Sequence, residues 1–320
     1  MMFDHILLPL DGSTLAEGVL PHAVALAQAF HSRLTLLRVV FVKESSDQQG
    51  MVNPMDWQMQ KSEAESYLKT VQDRLADVDV ESEIRVVEGN PAQEIIGYTR
   101  DESVELIVLS SHGRGGLSEW NINSVVQKVL YRAFVPVMIV RAYKASAEEL
   151  TGLTYDRIML PLDGSKRAEC SLPIANSIGS AHDSKILLTH VVSKPLLPRQ
   201  TPLNEEDRKL IQRLSQLNVN EAERYLDSMK EQFEVQELET LIETSTKPTA
   251  TLHDIVDREK IDLVILSAHG YSGEKRWPYG NITLNFIAYG TTPLIIIQDL
   301  SEDEIAKSLA EKYAEQSKGH

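Results

Sequence analysis

The chain has 320 residues, a hydrophobic fraction of 42%, and 32 basic against 47 acidic residues, for a formal charge of −15. That length accommodates two ordinary domains, and the composition excludes a disordered or fibrous chain. The surplus of carboxylates argues against a surface that neutralises nucleic-acid phosphates, although backbone N–H groups can still bind the phosphates of a small nucleotide. Cys170 is the single cysteine, so no intrachain disulfide can form, which fits a reducing compartment. Its helical surroundings read as those of a small packed side chain. The first residues carry no basic stretch before a long apolar run, and no apolar run approaches the roughly 18 residues of a membrane span. A soluble, cytoplasmic protein is expected.

In chain order, the apolar run 5–10 reads as a strand buried on both faces, ended by Asp11-Gly12. A helix is expected over 14–30, opened by a capping box of Thr14 and Glu17. The run 34–40 is a second strand, and the long connection after it is a cover over a site or a disordered loop. A helix over 57–77 follows, and then a less continuous strand at 81–89, placed nearer a sheet edge. Asn90 is the expected N-cap of a helix over 91–102, with Pro91 in its first turn. A buried strand at 105–110 leads into a glycine-rich loop, a helix over 124–134 and a last strand at 136–140.

The series then repeats. The segment DHILLPLDGSTLAE at Asp4 returns as DRIMLPLDGSKRAE at Asp156, a shift of 152 from Asp11 to Asp163. Residues 34–40 match 186–192, 104–113 match 261–270, and 135–141 match 292–298. Four matches in one order mean two copies of a unit of about 145 residues, too long a period for a solenoid. The expected division is a domain over 1–143, a linker over 144–154, a second domain over 155–300 and an exposed helical tail over 301–320, opened by a Ser301–Glu304 capping box. Alternation of strands and helices implies an α/β fold in tandem, each copy a five-stranded parallel, Rossmann-like sheet with helices on both faces.

In such sheets ligands sit beyond the carboxyl ends of the strands. Asp11 and Asp163 end the first strand of each copy, Val40 and Val192 the second, and the glycine loop the fourth. A carboxylate there can accept from an adenine amino group or a ribose hydroxyl, and a helix N-terminus after a glycine loop suits phosphate. Taken alone, Asp-Gly after a strand is more often a turn, and neither a P-loop nor G-x-G-x-x-G is present. No metal-ligand spacing and no nucleophile–base order stands out.

The repeated ILLPLDGS, the SSHGRGGL loop and the closing PVMIV resemble the universal stress protein (UspA) family, and two copies resemble its tandem members. The resemblance implies the adenine-nucleotide α-hydrolase-like fold, ATP with Mg²⁺ as the ligand, and self-association through last strands, within one chain or between two. The family's ATP-binding signature is G-x-x-G, nine residues, then G-[S/T]. The first copy reads Ser110-x-x-Gly113, nine residues, Asn123-Ser124; the second reads Ser267-x-x-Gly270, nine residues, Gly280-Asn281. By resemblance the first site comprises Pro9, Asp11, Val40, Ser110, His112, Gly113, Arg114, Asn123 and Ser124. Its counterpart comprises Asp163, Val192, Ser267, His269, Gly270, Gly280 and Asn281. Both signatures are altered, the first copy less so. Trp120 and Trp277 are expected to pack rather than to form lids. Three functions stay open: a stress-response regulatory module binding an adenine nucleotide without efficient turnover, a nucleotide-free interaction protein, and a slow Mg²⁺-dependent ATPase with His112 positioning water.

Overall fold

The computed structural model describes residues 3–41, 54–112, 124–141, 149–195, 204–270 and 279–299. Gly113, Arg114, Trp120, Asn123, Trp277 and the 301–320 tail lie outside these. The chain divides into two compact units, the first reaching Thr154 and the second spanning Tyr155–Asp299.

In the first unit β1 (His5–Pro9), β2 (Arg33–Val40), β3 (Ser82–Glu88), β4 (Leu106–Ser110) and β5 (Val137–Val140) pair in the order β3-β2-β1-β4-β5, all parallel. The register sets His5 beside Arg33 and Ile6 beside Leu106. Every residue of β4 and β5 is buried, and so are His5–Leu8, as continuous apolar strands between two helix layers require. The less continuous β3 has no fully buried residue and stands at the end of the order, as its sequence suggests.

The expected helix over 14–30 is two helices, α1 (Thr14–Glu17) and α2 (Leu20–Phe30). Pro21 explains the break: it has no N–H for the Glu17 carbonyl, and its ring would collide with that carbonyl in a continuous helix. The expected Thr14–Glu17 capping box does not form. Ser13 is the N-cap, its hydroxyl accepting from the Ala16 N–H at 3.1 Å, while Glu17 pairs with Arg74 at 2.8 Å. Helices α3 (Pro54–Ala76), α4 (Pro91–Asp101) and α5 (Ser124–Leu130) complete the unit. Asn90 caps α4 as expected, its side chain accepting from the Ala92 N–H. The last of these stops short of 134, because Phe134 takes a positive φ of 56° and Pro136 cannot continue a helix.

The second unit repeats the plan. Its strands β6 (Arg157–Pro161), β7 (Lys185–Ser193), β8 (Glu237–Ser245), β9 (Leu263–Ser267) and β10 (Leu294–Ile297) run β8-β7-β6-β9-β10, again parallel. Its helices are α6 (Leu172–His182), α7 (Glu205–Lys230), α8 (Pro248–Arg258) and α9 (Asn281–Tyr289). Duplication reaches the details of packing. Phe3 meets Phe30 edge-on with ring centroids 5.0 Å apart, and Tyr155 meets His182 in the same way at 5.2 Å. Ser32 and Ser184 donate their hydroxyls to the carbonyls of Phe3 and Tyr155. Cys170 falls in a 3-10 turn, Ala168–Ser171, and is partly exposed rather than packed in a helix; burial of its thiol, with Asp299 nearby, pushes its pKa up to about 12. Among the described residues no helix is long and apolar enough to cross a membrane.

One position separates the copies in acid. His22 in α2 is desolvated by its packing, which lowers its pKa from 6.5 to about 4. Its value in the folded chain lies below that in the unfolded chain, so the unfolded state takes up the proton first as pH falls. Stability is therefore full above pH 6.5 and is lost progressively towards pH 4. The second copy has the fully buried Ile174 at this position. His22→Ile is expected to recover at most about 2 kcal/mol of the stability lost between about pH 7 and pH 5, measured by urea unfolding at both values.

Candidate functional site

Each unit carries a cavity beyond the carboxyl ends of its strands. The first, of about 550 Å³, is lined from β1 and the turn after it by Pro9, Leu10, Asp11 and Gly12, and from β2 by Leu37, Arg38, Val39 and Val40. Ser110 and His112 close one side, Pro91, Ile95, Val125 and Val126 another, and Gln60, Glu63, Ala64 and Tyr67 of α3 a third.

The local sequence explains why Asp11 stands there. Pro9 ends β1, the Leu10 N–H makes one more ladder bond to the Leu37 carbonyl at 2.9 Å, and Gly12 turns the chain with a φ of 74°. Asp11 Oδ1 then accepts from the Ser13 N–H at 2.9 Å and the Ser13 hydroxyl at 2.5 Å. Ser13 in turn caps α1, so a single carboxylate fixes both the cavity wall and a helix start. The second copy uses the same device: Asp163 Oδ1 accepts from the Ser165 N–H at 3.1 Å and its hydroxyl at 2.6 Å, and Gly164 turns with a φ of 82°.

Position 38 supplies a cation. The Arg38 guanidinium donates to the Leu10 carbonyl at 3.2 Å and forms part of the cavity wall. Tyr67 is held by α3 in the same wall, beside Glu17; burial and that carboxylate push the pKa of its hydroxyl up. The Val40 carbonyl accepts from the Gly89 N–H at 3.2 Å, which leaves it a second lone pair. At the end of β4 the buried Ser110 hydroxyl takes the His112 N–H at 3.4 Å, and His112 Nδ1 lies 2.8 Å from the Ser111 hydroxyl.

The fold thus brings together Pro9, Asp11, Val40, Ser110 and His112. Ser124 is exposed as the first residue of α5, and its neighbours Val125 and Val126 line the cavity instead. Gly113, Arg114 and Asn123 lie outside the described residues. In the second unit Asp163, Ser267, His269, Gly270, Gly280 and Asn281 line a smaller cavity of about 280 Å³. Val192 is buried and does not line it; Thr189 and Val191 of β7 do. Gly270 is required there, since a Cβ would overlap the Asp163 carboxylate.

Arg38, Tyr67 and the α4 wall do not emerge from the strand-end motifs. A signal for Tyr67 was present: EAESYL at 63–68 recurs as EAERYL at 221–226, which carries Tyr225. Among the described residues no group of three or more His, Cys, Asp and Glu side chains is placed to hold a metal ion.

The sequence model of the universal stress protein family matches this chain twice, over residues 2–141 and 154–298. The universal stress protein YxiE of Bacillus subtilis is 32% identical over 148 residues, 44% of this chain and 100% of that protein. A crystal structure of a universal stress protein from Archaeoglobus fulgidus superposes with a TM-score of 0.65 at 19% identity, covering 94% of this chain and 100% of the other, and shares its fold. A further universal stress protein solved in complex with cAMP is 19% identical, covering 44% of this chain and 99% of its own, with a TM-score of 0.35. Two matches of the family model, one on each copy of the repeat, establish that the chain belongs to the universal stress protein family.

Proposed function

We propose that the first unit binds an adenine nucleotide, ATP in the first instance, and that the protein acts as a nucleotide-responsive regulatory module of the stress response without efficient turnover. The observation that carries this reading is the 550 Å³ cavity at the carboxyl ends of β1, β2 and β4, where a fixed carboxylate, a guanidinium and a flat apolar wall converge. Leu37, Val39, Pro91 and Ile95 give a purine ring apolar surface. The Asp11 carboxylate accepts from an amino or hydroxyl group, and the Val40 carbonyl reads the base edge. Arg38 contributes a cation, and Gly113, Arg114, Asn123 and Ser124 are assigned as the phosphate partners, with Mg²⁺ arriving with the nucleotide. His112, tied to Ser111, stands at the end of β4 in the same cavity. Self-association and a cytoplasmic site of action belong to the same proposal, the first read from the mass in solution by light scattering.

Titration calorimetry of ATP with Mg²⁺, run beside a phosphate-release assay, tests the reading. Saturable binding with negligible release of phosphate supports it. Release that is lost in His112→Ala would make the protein an ATPase instead, and no heat at millimolar ATP would leave only an interaction role.

A further inference from the structure

The second cavity has about half the room of the first, about 280 Å³ against 550 Å³. Three of its wall positions carry threonine, Thr189, Thr249 and Thr283, where the first copy has Leu37, Ala92 and Val126. Thr283 is satisfied by the Ser267 carbonyl at 2.9 Å. Thr189 is not. Its side chain is completely buried in the cavity wall, and its hydroxyl has no hydrogen-bond partner. A buried hydroxyl left unpaired is unfavourable until some group supplies the missing bond.

Next to His269, which lines this cavity, the chain supplies an anion of its own. Asp299, just past β10, has a side chain only 1% exposed. Its Oδ1 accepts from the His269 backbone N–H at 3.1 Å and from His269 Nδ1 at 2.8 Å, and its Oδ2 accepts from Arg167 at 2.8 Å. Backbone N–H groups past the end of a parallel strand are where such folds receive ligand anions. Here the N–H, the imidazole and the guanidinium are all committed to Asp299. With Nδ1 donating to that carboxylate, Nε2 is the nitrogen of His269 left for a ligand.

Nothing equivalent is encoded in the first copy. Counterparts of Arg167 and Asp299 are Leu15 and Ala142, by the shifts of 152 and 157 that relate the matched segments. The first cavity has Arg38 in its wall; the matching His190 does not line the second. The first cavity therefore has a guanidinium in its wall, whereas in the second unit the cations beside Asp299 are neutralised by that buried carboxylate.

We propose that the second unit binds an uncharged, polar molecule of about nucleoside size, and that Asp299 is the specificity-determining residue that keeps phosphate out. The ligand's donors and acceptors meet Thr189, Asp163 and His269 Nε2, and its bulk meets Leu252, Leu266 and Ile282. The choice of adenosine as probe rests on the nucleotide reading of the first cavity.

Methyl NMR on the full chain tests this, because each cavity has its own reporters: Ile95 and Val125 for the first, Leu252 and Ile282 for the second. Adenosine, ATP with Mg²⁺, and inorganic phosphate are titrated in turn. Adenosine is expected to shift Leu252 and Ile282, whereas ATP and phosphate leave them unmoved. In Asp299→Ala, which frees the three donors, phosphate is expected to shift Ile282 with at least about a tenfold gain in affinity. ATP shifting Leu252 and Ile282 in the unaltered chain would overturn the proposal. So would an absence of any adenosine shift there, or no phosphate response in a folded Asp299→Ala chain. Should that variant fail to fold, the contrast between adenosine and ATP in the unaltered chain decides. Failure of the nucleotide reading shows separately, as silence of Ile95 and Val125 towards ATP.

Discussion

Asp11→Ala is expected to weaken ATP binding by about ten- to a hundredfold, the worth of a hydrogen bond to a charged acceptor. It is also expected to lower the stability of the first unit by about 1–2 kcal/mol, because Ser13 loses both its bonds to the carboxylate and holds the α1 cap less firmly. Asp11→Asn separates the two effects. The amide oxygen can still accept from the Ser13 N–H, so stability recovers, while the lost charge and acceptor keep the affinity low. Calorimetric titration and urea unfolding of both variants measure the pair of effects. Unchanged affinity in the Ala variant would remove Asp11 from the site.

Leu36→Ala and Leu188→Ala are each expected to cost about 2–5 kcal/mol, the range for deleting most of a buried leucine side chain from a core that relaxes only in part. The two residues occupy matching positions on β2 and β7, and both are completely buried. Each unit has its own five parallel strands and its own buried apolar side chains, so the loss should fall first on the unit that carries the substitution. Amide hydrogen exchange tests this by unit: Leu36→Ala should speed exchange in β1 to β5, and Leu188→Ala in β6 to β10. Equal acceleration in both units for either variant would contradict separate cores.

The strands and the duplication were legible because they depend on continuous apolar runs, and such a run has few alternatives to a strand buried on both faces. The edge position of β3 was legible for the same reason, through its interrupted pattern. Helix ends were less so. Thr14 and Ser13 are both competent N-caps, and only the turn at Gly12, with Asp11 accepting from Ser13, selects Ser13. Pro21 carried the information for the break between α1 and α2, but the apolar periodicity on either side hid it. Around the first cavity, Asp11 and Val40 were legible from the strand-end rule, and Ser110 and His112 from the family resemblance. Arg38 and Tyr67 were not, since a single arginine in a strand and a tyrosine on a long helix reveal their direction only after the register and the packing of α3 are set. Asp299 was the least visible: it follows the last matched segment, and its counterpart Ala142 has no polar group that would draw attention to the position.

The difference between the two cavities gives the duplication a rationale. Two copies of one fold keep the same turn, the same cap and the same aromatic pair, whereas their strand ends diverge in charge and in volume. On the two proposals made above, such a chain would answer to two different ligands.

The most direct test of the nucleotide reading is native mass spectrometry of the full chain before and after adding ATP with Mg²⁺. One added nucleotide mass per chain is the expected result, with that mass lost in Asp11→Ala. No added mass at millimolar ATP, from a chain that stays folded, would contradict a nucleotide site in the first unit.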